Sequence, residues 1–334
     1  MPEESKFASL TGEQKALETV KQRYIVAQKA QSKTHSDYDK WFKMYKSESV
    51  DRNYQGFSNL TVPKVFEKVE RGTALVSQAI KRIKVIPQSK EDRQNATFNE
   101  KLIDFENRVL DIEHIRDLWI KSARIHGEAF LKATWNEGLK DKDRPYRALT
   151  ISLPDPKSIY FNPDNTTDQP LRWCIHEYNI PFNEIAKNKS FKKDKITEVR
   201  TTSTLGKKPE QTSSQSIQKA MDTSDTTTLM TKIKEYYGPF SEDEKKEEEE
   251  YVLITANDTV VLWMKPSKYA VILDSPIPIF RLSHYAIPHE AHSQGDAEAI
   301  RSLYAELNDT RNQRLDTVTL NIDPMKVIMK GAQI

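Results

Sequence analysis

The chain has 334 residues, of which 30% are charged and 37% are hydrophobic, so it is polar yet long enough for two or three domains with a sizeable core. Its 51 basic and 49 acidic residues leave a net charge of +2, which excludes a global basic field and confines any contact with nucleic acid to a local surface. The single cysteine excludes an internal disulfide and a multi-cysteine zinc site. The sequence contains no run of about 18 apolar residues, the length that would indicate a membrane span.

The first part of the chain predicts helices from apolar residues that recur every three or four positions. Pro63 suits the first turn of a helix, where its missing amide leaves no bond unmade, and Gly127 suits a helix end. The predicted helices span residues 1–35, 38–45, 63–80 and 98–126.

Short strands bounded by prolines and turn residues follow. They are predicted at 83–86, 129–135, 149–153, 159–161, 171–178, 234–237, 251–255, 259–264 and 269–273, with a short helix at 181–188. Asn257 and Asp258 predict a hairpin turn. Residues 191–233 are rich in Ser, Thr, Lys and Gln and predict a mobile insertion or a loosely held helix rather than core. Residues 275–279 predict an extended linker. Helices followed by short strands indicate an α+β fold.

The stretch from Ser293 to Ile334 predicts one long helix followed by a short extended segment. We expect Asp296 to cap the helix by accepting the free amides of its first turn. One apolar stripe is predicted from Ile300, Leu303, Leu307, Leu315 and Val318. The polar side chains of Asn308 and Asn312 need partners, which can be water, a neighbouring subunit or a phosphate backbone.

Signals for catalysis are weak. Four residues just before the long helix could bind zinc together: His284, His289, Glu290 and His292. Their spacing is not that of a helical pair, and a surface loop with locally bonded histidines is the alternative. Cys174 and His176 lie two residues apart on a predicted strand, so their side chains are expected on the same face. They can be interpreted as a nucleophile with its base or as core residues. Neither G-x-S-x-G nor a P-loop, G-x-G-x-x-G or H-E-x-x-H motif is present.

Several stretches of the chain follow one another in a recognisable order. They are Trp41-Phe42 to Phe57, Asn59 to Pro63, Ile125 to Phe130, Leu153 to Pro156, Phe161 to Pro163, Lys234 to Gly238, then Asn308, Arg311 to Asp316 and Pro324 to Lys326. This order, over residues 36–334, resembles the portal protein (head-to-tail connector) of tailed bacteriophages, of the type found in short-tailed phages. The resemblance implies a portal-like α+β fold with a wing, a stem helix and a β-rich clip.

The resemblance also implies a function. Portals are rings, usually of twelve copies, at one vertex of the capsid, and double-stranded DNA is packaged and ejected through their channel. The implied partners are the other copies in the ring, the terminase large subunit, the tail adaptor and the major capsid protein. A portal subunit is not itself an enzyme and holds no cofactor, so the expected location is the virion, after assembly in the host cytoplasm.

The resemblance divides the chain into regions. They are an N-terminal helical arm (1–35), a wing-like α+β region (36–190), the mobile segment, which can include part of the stem (191–233), a clip-like region (234–292), and a stem helix with the start of the next wing segment (293–334). Portals of this type continue beyond such a segment, so we expect the chain to be a fragment.

The resemblance also suggests site residues. The expected channel-lining residues are Arg311, Arg314, Lys326 and Lys330. The expected subunit interface includes Ile300, Leu303, Leu307 and Leu315. The expected contact with the motor or adaptor includes Glu248, Glu249, Trp263 and Lys265. The alternatives are a metal-dependent hydrolase that uses the histidine cluster, and a scaffold that only binds other proteins.

Overall fold

The computed structural model describes residues 12–48, 58–79, 84–87, 89, 91–135, 149–167, 169–188, 191, 193–205, 229–241, 248–267 and 275–322, which form a mixed α+β protein. The helices are α1 (Gly12–Tyr45), α2 (Lys64–Ala79), α3 (Arg93–Val109), α4 (Ile112–His126), α5 (Phe182–Lys187), α6 (Lys193–Thr202), α7 (Asp296–Ala299) and α8 (Arg301–Ile322). The strands are β1 (Glu128–Trp135), β2 (Leu149–Ser152), β3 (Ile159–Phe161), β4 (Cys174–Pro181), β5 (Thr204–Leu205), β6 (Leu229–Phe240), β7 (Glu249–Ala256), β8 (Val260–Pro266) and β9 (Ile279–Ser283). No helix among these residues is long and apolar enough to cross a membrane.

The strands form two antiparallel sheets. The smaller sheet has the order β2-β1-β9, and the larger has the order β3-β4-β6-β7-β8, with β5 paired to the start of β6. Asn257 and Asp258 connect β7 to β8 in the left-handed conformation, with φ of 50° and 60°. Two consecutive residues with positive φ are what a tight hairpin turn requires, so the predicted hairpin is confirmed.

Helix α1 packs on the larger sheet through one apolar seam. The core here consists of Ala16, Val20, Tyr24 and Ala27 from the helix and Tyr160, Trp173, Ile175, Tyr236, Phe240 and Leu253 from the sheet side. The seam continues through the buried Gln31 to Tyr38 and Trp41. The two helices predicted at 1–35 and 38–45 are therefore one continuous helix from Gly12 to Tyr45, because one buried face runs along its whole length.

Two further cores determine where the long helix starts. One joins the two sheets and contains Phe130, Ile159, Phe161, Cys174, Tyr237, Val252, Ile277 and Ile279. The other joins α1, α2, α4, α7 and α8 and contains Tyr38, Trp41, Val65, Val69, Ile125, Ala297 and Tyr304. The start of α8 is thus held by four earlier helices.

The single helix predicted at 98–126 is wrong, because the chain breaks it into α3 and α4. Asp111 lies at the break in the left-handed conformation, with φ of 50°. The apolar spacing continues on both sides of the break, which is why periodicity does not reveal it. The predicted end at Gly127 is confirmed: its φ is 95°, and its amide donates to the carbonyl of Ala123 at 2.7 Å.

Two strand predictions and the linker prediction also differ from the structure. Residues 84–87 form no strand, and the strand expected at 171–178 is β4, which starts three residues later. The linker predicted at 275–279 leads into β9, which pairs with β1 from Lys132–Ile279 to Glu128–Ser283. Short proline-bounded segments become strands only where a distant partner offers backbone hydrogen bonds.

The segment predicted to be mobile, 191–233, contains regular structure. Helix α6 buries Val199 completely, in a small core that also contains Ile185, Ile233 and Leu262. Residues 206–228 and the strand predicted at 269–273 lie outside the described residues.

Candidate functional site: the root of the long helix

Helix α8 is the longest exposed element near the C-terminal end of the described chain. It has 22 residues, which corresponds to about 33 Å, and it buries only Tyr304 and Asn312. The other large apolar side chains of α8 are exposed: Leu303, Leu307, Leu315, Val318, Leu320 and Ile322. The protein therefore presents this helix rather than burying it.

A buried carboxylate anchors the chain where α7 and α8 begin. Asp296 is fully buried, with Arg124 Nη2 2.6 Å from Oδ2, Lys68 Nζ 3.2 Å from Oδ1, and His284 Nε2 3.5 Å from Oδ2. Burial alone would raise the pKa of Asp296, but the His284 side chain and the positive charge of Arg124 outweigh it and lower this pKa to about 2. The predicted helix start at Gly295 and Asp296 is confirmed, but the predicted cap by Asp296 is wrong: Gly295 is the N-cap, and no side-chain cap forms, because Asp296 is held by these cations.

A second buried carboxylate holds the loop before α7. Glu128 is 1% exposed and contacts Tyr38 Oη at 2.5 Å, His292 Nδ1 at 2.8 Å and Arg281 Nη2 at 2.5 Å. Burial acts to raise the pKa of Glu128, but hydrogen bonding to His292 and the charge of Arg281 lower it to about 2. One carboxylate thereby joins α1, β1, β9 and the loop that leads to the long helix.

Two glycines allow the backbone of this loop to lie against the end of α4. A Cβ on Gly127 would stand 2.0 Å from the carbonyl oxygen of Ser293, and one on Gly295 would stand 2.7 Å from the carbonyl oxygen of Ile125. The positive φ of Gly127 adds a second reason for glycine at that position. Together with the two carboxylates, this close approach fixes the root of α8.

Farther along, α8 is held by an extended segment of the same chain, residues 58–62, which we call the strap. Side-chain oxygens of α8 accept the strap amides in three hydrogen bonds: Val62 to Asn308 (2.9 Å), Leu60 to Asn312 (2.8 Å) and Ser58 to Asp316 (2.6 Å). Asn312 also donates from Nδ2 to the carbonyl of Leu60 at 3.0 Å. The acceptors on α8 are four residues apart, which is a rise of about 6.0 Å, and the amides on the strap are two residues apart, which is about 6.6 Å in an extended chain. The spacing of the acceptors therefore matches the spacing of the amides.

This ladder decides between the alternatives left open for Asn308 and Asn312. Asn312 is 2% exposed, and its partner is a backbone segment of its own chain. Neither water nor a phosphate is needed to satisfy it. The sequence did contain a signal, since Asn308, Asn312 and Asp316 are spaced by four and put one polar acceptor on each turn of the helix.

The predicted zinc cluster is not assembled. His284 lies beside Asp296 and His292 beside Glu128, whereas His289 is an exposed turn residue with φ of 67°. In the part of the chain that the structure describes, no three His, Cys, Asp or Glu side chains are arranged to hold a metal ion.

Cys174 and His176 are core residues of β4. Burial raises the pKa of the Cys174 thiol and lowers the pKa of His176 to about 3, so the thiol lacks the thiolate character and the basic partner that a nucleophile needs. His176 Nδ1 lies 3.2 Å from Lys132 Nζ, and Lys132 forms a buried ion pair with Glu235. Sequence periodicity gave no sign of this pair, which joins β1 to β6.

Five of the eight residues suggested for the channel and the subunit interface lie on α8. Arg311 and Arg314 are exposed on it, while Lys326 and Lys330 lie outside the described residues. Of the expected interface residues, Leu303, Leu307 and Leu315 are 66%, 40% and 38% exposed, whereas Ile300 packs partly buried against the helical core.

The residues suggested for the motor or adaptor contact lie near the open end of the β7–β8 hairpin. Glu248 and Glu249 are exposed where β7 begins. Trp263 and Lys265 are on β8, with Lys265 Nζ 4.2 Å from the centre of the Trp263 ring. Trp263 also packs against the core between the sheets, so only part of its surface is available to a partner.

No protein-family model matches the chain, and no curated protein is significantly similar to it.

Proposed function

We propose that this chain is a subunit of a phage portal, a ring through which double-stranded DNA enters and leaves a capsid. The observation that carries the proposal is helix α8, an exposed helix with a buried, multiply anchored root. Such a helix suits a stem element, because it can contact neighbouring copies while its own subunit holds its direction.

A head-to-tail ring needs two different surfaces on each subunit. The first is the apolar stripe of α8 described above. The second is on α3, which buries only Ala96 and exposes an apolar ridge formed by Phe98, Leu102, Phe105 and Val109. Contiguous apolar surface of this kind in a polar protein typically marks an interaction site. Two unlike apolar surfaces favour a heterologous contact, which closes into a ring when the rotation per subunit allows it.

The test is the mass and shape of the purified full chain, by light scattering and negative-stain imaging. We expect rings with a central hole, near twelve copies. The double variant Leu303→Asp/Leu307→Asp should dissociate them, because it places charges in the apolar stripe. The control Ser302→Asp/Gln313→Asp adds the same charge to exposed polar positions outside the apolar stripe and should leave rings intact. A monomeric wild-type chain would refute the proposal.

The channel assignment has its own test within the same proposal. Arg311 and Arg314 are exposed on α8, where a ring would repeat their charge once per subunit. Reversing both to Glu should slow DNA packaging while the ring still assembles. Unchanged packaging by such rings would remove these residues from the channel.

A further inference from the structure

A line of lysines runs along the exposed side of helix α1. Lys29, Lys33, Lys40 and Lys43, with Ser36 between them, are spaced by four, three, four and three residues and are all exposed. This spacing keeps them on one face, opposite the buried seam that packs on the larger sheet. We call these five residues the lysine stripe, and it is about 21 Å long.

The stripe is a local excess of positive charge in a nearly neutral chain. In the described part of the structure, Lys40 pairs with Asp37 at 2.6 Å, while Lys29, Lys33 and Lys43 form no ion pair. The exposed positions of α1 from Gln22 to Lys43 include no acidic residue. This surface is therefore positively charged, although the whole chain has 51 basic and 49 acidic residues.

The arrangement is unfavourable for an isolated helix. Lys29 and Lys33 are four residues apart and Lys40 and Lys43 three apart, and like charges at these spacings repel each other. Solvent-exposed helices are usually stabilised by the opposite pattern, with acidic and basic residues alternating along a face. A bound polyanion would turn the repulsion into attraction.

An open groove of about 500 Å³ runs beside the stripe. Its walls are formed by α1 together with Lys157 and Tyr160, and the residues from α1 are Gln28, Lys29, Ser32, His35, Ser36 and Asp39. Lys157 is held in position by two contacts to Asp39, at 2.8 and 2.9 Å. Hydroxyls and lysines are the groups that contact phosphate oxygens without reading sequence.

We propose that the lysine stripe of α1 binds the phosphate backbone of double-stranded DNA. The stripe has no aromatic residue, so it offers no platform on which single-stranded bases could stack. From Lys29 to Lys43 the exposed face carries no large apolar side chain, whereas Ile25 and Val26 are exposed one turn before Lys29. The lysines themselves offer a lipid surface only charge, which favours a duplex over an anionic membrane. The surface is separate from the arginines of α8, and it does not require ring formation.

The experiment measures binding of the full chain to a fluorescent 30-base-pair duplex at salt concentrations from 50 to 200 mM. With four phosphate contacts, affinity should fall about 150-fold over this range, because each contact releases about one counterion. In the stripe variant, four lysines become glutamine: Lys29, Lys33, Lys40 and Lys43. The matched control changes four exposed lysines elsewhere to glutamine: Lys64, Lys84, Lys101 and Lys187.

Both variants change the net charge from +2 to −2, so they differ only in where the charge is lost. We expect the stripe variant to lose most of its affinity and salt dependence, the control to keep both, and a Lys→Arg version of the stripe to bind like the wild type. Equal loss in both glutamine variants, or a wild type that does not bind DNA, would overturn the proposal.

Anionic vesicles serve as the competing ligand. If the protein binds vesicles of 30% phosphatidylserine but not DNA, and the stripe variant loses this binding, the surface is a membrane-binding surface and the proposal of DNA binding is overturned. Ring formation is read separately by imaging: rings without stripe-dependent DNA binding refute this inference alone, and DNA binding by a monomer refutes only the portal assignment.

Discussion

The ladder between α8 and the strap gives the sharpest prediction about this protein. Replacing Asn312 by Ala removes two hydrogen bonds with Leu60, one donated by the Leu60 amide and one accepted by the Leu60 carbonyl. Each such bond contributes about 0.5–1.5 kcal/mol net, so the free energy of unfolding should fall by about 1–3 kcal/mol. Local opening of the strap should increase by about 5- to 140-fold, since 1.4 kcal/mol corresponds to a factor of ten.

Amide hydrogen exchange with residue-level fragmentation measures this opening. In the wild type, the amides of Ser58, Leu60 and Val62 should be protected, whereas those of Asn59 and Thr61 should exchange quickly because they do not bond to α8. This alternation is the signature of the ladder.

The matched control is Gln313→Ala, at the next residue of the same helix, which is exposed and bonds to no part of the strap through its side chain. It should leave the exchange pattern and the stability unchanged within a few tenths of a kcal/mol. Uniform exchange across the strap in the wild type, or equal effects of the two substitutions, would refute the reasoning.

Three other predictions concern the core. Glu128→Gln should lower the free energy of unfolding by about 3 kcal/mol at pH 7. Because the pKa of Glu128 in the folded state is depressed to about 2, the wild type loses this advantage as the pH falls from about 4.5 to 2. The stabilities of the wild type and the variant, measured by urea titration, should therefore converge near pH 2. Gly127→Ala should lower the melting temperature sharply, since its Cβ would meet backbone at 2.0 Å, whereas Gly12→Ala should not, as nothing lies within 4 Å. Lys132→Met should cost about 3–5 kcal/mol by leaving Glu235 buried and unpaired, and the double variant with Glu235→Leu should recover most of it.

Each of these has a clear contrary outcome. Parallel pH profiles for the Glu128 variant and the wild type would mean that its carboxylate is not stabilised by its neighbours. Equal melting temperatures for the two glycine variants would contradict the close approach of the loop to α4. A double variant no more stable than Lys132→Met would show that the buried pair is not the source of the loss.

Elements with a local signal could be predicted from the sequence. The buried seam of α1, the end of α4 at Gly127 and the hairpin turn at Asn257-Asp258 depend on residues that lie within a few positions of each other. The α+β class followed from them. The apolar stripe of α8 and its exposed arginines could be predicted in the same way, because both follow from helical spacing alone.

The tertiary structure decided what the rest of the chain does. Nothing near Ile279 indicates that it pairs with Lys132, and nothing near Leu60 indicates that its amide bonds to Asn312, 252 residues away. The break at Asp111 was hidden because apolar periodicity continues across it. The sequence by itself thus determined the apolar faces of α1 and α8, the end of α4 and the hairpin turn between β7 and β8. Which distant groups satisfy the buried polar atoms was decided only by folding, since one sequence offers many possible partners for each carboxylate and amide, and packing selects among them.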